Sequence, residues 1–183
     1  MIIWWGTFIC MAGAGTIVFH YGIQKAKRKS LRSMKSFEKP GEEWNPKKMK
    51  KYVKHAYFVI QECWRLLDPS YAEKYLSKSL AQSWTTKLEW MKVKHEKPIQ
   101  KRVQLLSVTP VSVWDDEGEE DASIVYLIHG RMIGYYINTD TLEVVRGKKI
   151  PESFYEYWIF IREDGRWVLN EIQQKDEVDV HEL

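Results

Sequence analysis

The chain has 183 residues, 44% of them hydrophobic, with nine Trp, ten Tyr and a net charge of +3. That is enough for one domain with an aromatic core plus one accessory segment. Two cysteines, Cys10 and Cys63, exclude a disulfide framework, and no second ligand stands at zinc spacing, so both read as inert buried thiols in a reducing compartment.

The charge is unevenly spread. Residues 24–55 hold twelve Lys or Arg against three Glu, whereas residues 56–183 hold 16 basic against 22 acidic residues. A basic neck on an acidic body speaks of partners, not of fold.

Residues 2–23 form an apolar run with no charged side chain before Lys25, apart from the titratable His20. Its length matches the ~20 residues of a spanning helix. Trp4, Trp5 and Tyr21 near the ends suit the interfaces. Gly6, Ala12, Gly13, Ala14 and Gly15 form no GxxxG pair, so they specify no helix dimer. All the basic residues follow the run, and none precedes it. That order predicts a retained anchor over residues 1–23, not a cleaved leader, with the N-terminus outside and the body on the cytoplasmic side of the cell membrane. In a eukaryote the equivalent place is the matrix side of the mitochondrial inner membrane.

Lys25, Lys27, Arg28, Lys29, Arg32 and Lys35 follow at once. A polybasic stretch beside a membrane gains ~1 kcal/mol per residue from anionic lipid. Residues 24–46 are therefore expected to be a basic juxtamembrane linker. Lys39-Pro40-Gly41 and Asn45-Pro46 serve as its breakers. Aromatics are sparse here and no recognition motif occurs, so nucleic acid is not an expected partner.

Asn45 and Pro46 open a helix as cap and first residue. Met49, Tyr52, Val53, Ala56, Tyr57, Ile60, Cys63, Trp64 and Leu67 keep helical spacing. Lys47, Lys48, Lys50 and Lys51 crowd its start against the helix dipole, which marks them as further lipid contacts. Asp68-Pro69 ends it. Ser70 and Glu73 predict a capping box for a short helix. A third helix follows, with Leu80, Trp84, Leu88 and Met91 on one face, and Lys97-Pro98 closes it.

Strands come next. Residues 101–114 read as a strand with a bulge or edge break at Pro110. The acidic stretch 115–121 reads as a solvated tip without calcium-loop spacing. A long strand covers 123–138, with Gly130 and Gly134 as bends or bulges. A turn at 138–140 and a short strand at 142–145 precede the last hairpin, residues 153–174. Asp164-Gly165 is its two-residue type I′ turn. That register places Arg162 opposite Trp167, Phe160 opposite Leu169, Trp158 opposite Glu171 and Glu156 opposite Gln173. One face would then carry Glu156, Trp158, Phe160, Trp167, Leu169 and Glu171 together. The first strand is apolar on both faces, as a central strand is. Helices first and strands later predict an α+β domain with helices on one face of an antiparallel sheet.

The run Phe154-Tyr155-Glu156-Tyr157-Trp158-x-Phe160-x-Arg162, with Gly165-x-Trp167-x-Leu169 and Ile172-Gln173-Gln174, resembles the terminal hairpin of the Tim44-like domain family. Gly130-Arg131-Met132-Ile133-Gly134-Tyr135-Tyr136 is similar to the strand before it. Tyr57-x-x-Ile60-Gln61-x-x-Trp64 and Asp68…Tyr75-Leu76-Ser77 resemble its opening helices. The match covers residues 47–175, followed by an acidic tail at 176–183. The resemblance implies a cone-shaped fold like nuclear transport factor 2, with about three helices over a curved sheet. It also implies a hydrophobic pocket between the layers, membrane association, and protein binding in place of catalysis. Pocket candidates are Tyr57, Trp64, Trp84, Tyr135, Trp158, Phe160, Trp167 and Leu169. The long upstream region with which the mitochondrial founder recruits Hsp70 has no counterpart here.

The expectation is thus a membrane-anchored scaffold that contacts anionic lipid. It would bind a protein segment or an apolar ligand between helices and sheet, with no cofactor and no metal. Two alternatives compete. One is a secretion-system scaffold with its domain outside the cytoplasm. The other is an enzyme of the same fold using Glu156 and Glu171, whose pKa an apolar pocket would raise. His20, His55, His95, His129 and His181 show no ligand spacing.

Overall fold

The computed structural model describes residues 4–37, 44–115 and 122–175, with side-chain surroundings from residue 18 onward. In chain order come α1 (Trp4–Phe37), α2 (Pro46–Leu66), a short 3-10 helix (Pro69–Tyr75) and α3 (Lys78–Val93). The strands are β1 (Glu96–Trp114), β2 (Ser123–Asn138), β3 (Val144–Gly147), β4 (Glu152–Glu163) and β5 (Arg166–Gln174). The sheet runs β1-β2-β4-β5, with β3 paired to the far end of β2, and every pairing is antiparallel. The fold is α+β, four helical segments on an antiparallel sheet.

Local chemistry sets the helix ends. The Asn45 side chain accepts from the backbone N–H of Lys47 and Lys48, and Pro46 fills the first helical position of α2. Leu67 closes α2 in the left-handed region at φ 56. The expected Ser70–Glu73 capping box does not form. Pro69 takes the first position of the 3-10 helix, so the cap falls one residue earlier, on Asp68, which accepts from Ser70 N–H. Ser77 caps α3 by accepting from Leu80 N–H.

Both faces of the sheet are covered, where helices on one face were expected. On one face Val53, Tyr57 and Ile60 of α2 and Leu88 of α3 meet Ile124, Tyr126, Ile128, Trp158, Phe160 and Leu169. On the other, Ile23 of α1 packs with Val111, Leu127 and Tyr157, flanked by Phe19, Ala26 and Tyr155. Lys175 extends this second layer, its ammonium 4.0 Å from the Phe19 ring centre.

This corrects the reading of the N-terminal segment. Among the described residues no helix is long and apolar enough to cross a membrane, and a transmembrane anchor over residues 1–23 is not supported. Ile23, at the end of the apolar run, is 6% exposed because it is seated on the sheet, not in lipid. Nor is the basic stretch a linker from residue 24 on: it stays helical to Phe37. Ile23, Ala26, Ser30, Met34 and Phe37, spaced three, four, four and three apart, continue one inward-facing stripe. Residues 38–43, which hold the Lys39-Pro40-Gly41 breaker, lie outside the described residues, as do 116–121 of the acidic tip and the tail at 176–183.

His129 of β2 lies on the α1 face, stacked on Tyr155 at 4.2 Å between ring centres. Burial, and secondarily His20 of α1, hold its imidazole below the ordinary value. The unfolded chain therefore takes this proton first. Above an ordinary pKa of about 6.5 the group has no effect; as pH falls through its lower folded value it costs stability. We expect the urea midpoint to drop between about pH 7.5 and 5.5, and His129→Gln to flatten that slope. Equal slopes for the two proteins would contradict this.

Candidate binding site

The hairpin register departs from expectation at one residue. Arg162 faces Trp167 and Phe160 faces Leu169 as predicted, with Asp164 and Gly165 at φ 52 and 72 in the turn. Beyond that pair Asn170 is an extra residue, so Ile159 pairs with Glu171, Trp158 with Ile172 and Glu156 with Gln174. The Ser77 hydroxyl donates to Asn170 Oδ1 at 2.9 Å, and Ser77 N–H donates to the Leu169 carbonyl. The start of α3 thus clamps the bulge.

One slipped residue separates the two carboxylates. Glu171 turns out to solvent, where its side chain accepts from Gln173. Glu156 stays on the helix-covered face, half-buried, and accepts from Trp158 Nε1 at 3.0 Å and Gln174 Nε2 at 3.2 Å. The expected face bearing both carboxylates does not exist, and the enzyme reading loses its pair. No group of His, Cys, Asp or Glu among the described residues is placed to hold a metal ion.

Most of the predicted pocket residues are core. Tyr57, Trp84, Trp158, Phe160, Trp167 and Leu169 are all buried in the helix–sheet interior, and Trp64 packs at its edge against Trp84. Tyr135 lies apart from them, half-exposed near β3, with Lys149 over its ring. Nine Trp and ten Tyr provide enough ring volume to close the interior.

Burial leaves polar atoms stranded. The hydroxyls of Tyr57, Tyr126 and Tyr157 and the indole N–H of Trp167 have no hydrogen-bond partner among the described residues. Burial pushes the Tyr57 and Tyr126 phenols up, with Glu156 adding to the effect at Tyr57. Cys63 is likewise buried, its thiol pushed up to about 11, so it is an inert thiol. Removing an unpaired buried hydroxyl relieves a desolvation cost of about 1–3 kcal/mol. Tyr126→Phe should therefore keep or raise the urea midpoint. A loss of more than about 1 kcal/mol would show that the hydroxyl has a partner.

An open groove of about 580 Å³ lies at the hairpin end of the sheet, lined by Tyr52, Lys74, Tyr75, Arg162, Gly165, Arg166 and Trp167. Tyr52 and Tyr75 stand with ring centres 5.3 Å apart, and Tyr52 donates its hydroxyl to the Trp167 carbonyl. Trp44 packs edge-on against Trp167 from behind, at 5.0 Å. The groove cations rest on the rings: Lys74 is 5.0 Å from the centre of Tyr75, and Arg162 is 5.5 Å from that of Trp167. Sequence reasoning picked Trp167 for a pocket but missed the others. Their one legible signal was the pair of arginines flanking Asp164-Gly165.

A second cationic surface lies on α1. Lys25, Arg28, Lys29, Arg32 and Lys35 are exposed and fall on one side of the helix, opposite Ile23, Ser30 and Met34. Lys27 stands nearer the sheet side and is half-buried. On α2, Lys47, Lys48, Lys50 and Lys51 are all exposed.

Comparison with protein families matches residues 29–174 to the Tim44-like domain. The chain belongs to the Tim44-like family. No curated protein matches it. Among solved structures, the intermembrane-space region of the chloroplast protein ARC6 is similar at 9% identity, with a TM-score of 0.48 over 68% of this chain and 95% of that one. A candidate polyketide cyclase from Xanthomonas campestris pv. campestris is similar at 12% identity, with a TM-score of 0.32 over 67% of this chain and 91% of that one. The Tim44-like match begins inside α1, upstream of the expected boundary at residue 47. Lys29, Arg32 and Lys35, with the docked Ser30, Met34 and Phe37, thus belong to the Tim44-like domain itself, as do all the groove residues. At the family level such a domain is generally a non-enzymatic binding and scaffolding module.

Proposed function

We propose that this protein is a non-catalytic scaffold that sits on an anionic membrane surface and holds a protein partner there. The carrying observation is the exposed stripe Lys25, Arg28, Lys29, Arg32 and Lys35 on a helix whose opposite face is docked. Such a helix can lay its charge on lipid head groups without leaving the domain. The lysines at the start of α2 add a second cationic patch against the local dipole, a cost that a use would offset. In this reading the domain works at the cytoplasmic leaflet of the cell membrane, or the equivalent matrix-side leaflet, held by charge.

Sedimentation of the full chain with vesicles tests it. Binding to vesicles rich in phosphatidylglycerol, and its loss at about 1 M salt, is the expected result. Equal binding to neutral phosphatidylcholine vesicles would refute the lipid role. An alkaline carbonate wash of cell membranes should release the protein, and retention in the pellet would overturn attachment by charge.

A further inference from the structure

The cation-lined groove at the hairpin end has no role in the vesicle contact above, and its charges are arranged with a clear bias. Four charged residues crowd the turn between β4 and β5: Arg162, Glu163, Asp164 and Arg166. The two acidic ones point to α3. Asp164 pairs with the Lys78 ammonium at 2.8 Å, which holds its carboxyl below the usual range. Glu163 accepts from Lys78 N–H at 3.0 Å, at the N-terminus of the same helix. The two arginines are left on the groove side with Lys74. Among the described residues none of the three makes an ion pair with a carboxylate. His55, one turn after Tyr52 on α2, is exposed, and its ring meets Tyr75 at 5.6 Å.

Each feature selects for the ligand. Three cations in one concavity call for oxyanions, and arginine forks bind carboxylates with two parallel hydrogen bonds. Tyr52, half-buried at the groove wall, supplies ring surface between those charges, with the buried Tyr75 and Trp167 rings behind it, which rewards apolar groups carried on the same ligand. A volume of about 580 Å³ far exceeds one phosphate and suits several side chains. The groove is open, so a chain segment can lie along it.

We propose that this groove binds an acidic peptide segment of a partner protein. The segment's carboxylates meet Lys74, Arg162 and Arg166, and its apolar side chains lie against Tyr52 on the wall that the buried Tyr75 and Trp167 support. The groove is then the partner-holding half of the proposed scaffold, while α1 is the lipid-holding half, and the two fail separately in the test.

The probe is a short fluorescein-labelled peptide of alternating Glu and Leu, with its Gln-for-Glu counterpart as control, read by fluorescence anisotropy on the full chain. The Glu peptide should saturate the protein, and the Gln peptide should bind about tenfold or more weakly. Lys74→Gln with Arg166→Gln, both at exposed positions, should weaken the Glu peptide about tenfold with an unchanged melting temperature. Neutralising Lys25, Arg28, Lys29 and Arg32 should change it less than about twofold. The proposal is overturned by no saturation up to about 1 mM peptide, by equal binding of the Gln peptide, or by equal loss from the α1 variant. Displacement by inorganic phosphate at concentrations like the peptide's own reduces the groove to a simple anion site, which also overturns it. So does loss of binding to anionic vesicles from the groove variant alone, which would assign the groove to lipid.

Discussion

Trp158→Ala unfolds much of what holds this domain together, at an expected cost of about 3–5 kcal/mol. Trp158 is fully buried on β4, its ring 5.6 Å from that of Tyr57 on α2 and 6.4 Å from that of Phe160. Truncation leaves a cavity between α2 and the sheet, where neighbours cannot collapse because β4 is paired on both sides. It also removes the indole donor that satisfies half-buried Glu156. Trp158→Phe separates the two effects, since it keeps most of the ring and loses the donor. Its cost should be about half that of alanine or less. Urea denaturation monitored by circular dichroism reads both, with a drop in melting temperature of roughly 10 °C for alanine. An alanine variant within about 1 kcal/mol of the parent would mean that Trp158 is not a core anchor.

Neutralising the α1 stripe is the second large effect. Replacing Lys25, Arg28, Lys29, Arg32 and Lys35 with Gln removes five cations at ~1 kcal/mol each near an anionic surface. Screening and geometry reduce the full sum, so the expected loss of affinity for phosphatidylglycerol vesicles is about a hundredfold or more. Stability should move by less than about 0.5 kcal/mol, because all five side chains are exposed, opposite the docked face. The same number of substitutions at Lys94, Lys97, Lys101, Arg102 and Lys149, also exposed, controls for net charge. If that control loses as much binding, the stripe has no special role and net charge alone carries the attraction.

Where structure depends on near neighbours, the amino-acid sequence was largely sufficient, the exception being the 3-10 helix cap, which Pro69 moves from Ser70 to Asp68. Asn45-Pro46 set the start of α2, Asp164-Gly165 set the hairpin turn, and the turn at 138–140 set the end of β2. The family resemblance rested on that same local patterning. The exposed basic side of α1 was also legible, since Lys25, Arg28, Lys29, Arg32 and Lys35 repeat at helical spacing. What periodicity cannot say is which surface covers an apolar stripe. Lipid and a sheet face reward Phe19 and Ile23 alike, and only the apolar β2–β4 face bearing Leu127 and Tyr157, which α1 covers, decided between them. The one-residue bulge at Asn170 was hidden for a related reason. It is held by Ser77, 93 positions away along the chain, and the register shift there turns Glu171 from the core face to solvent. The groove likewise gathers Tyr52, Lys74 and Arg166 from three elements, and so exists only once they are folded together.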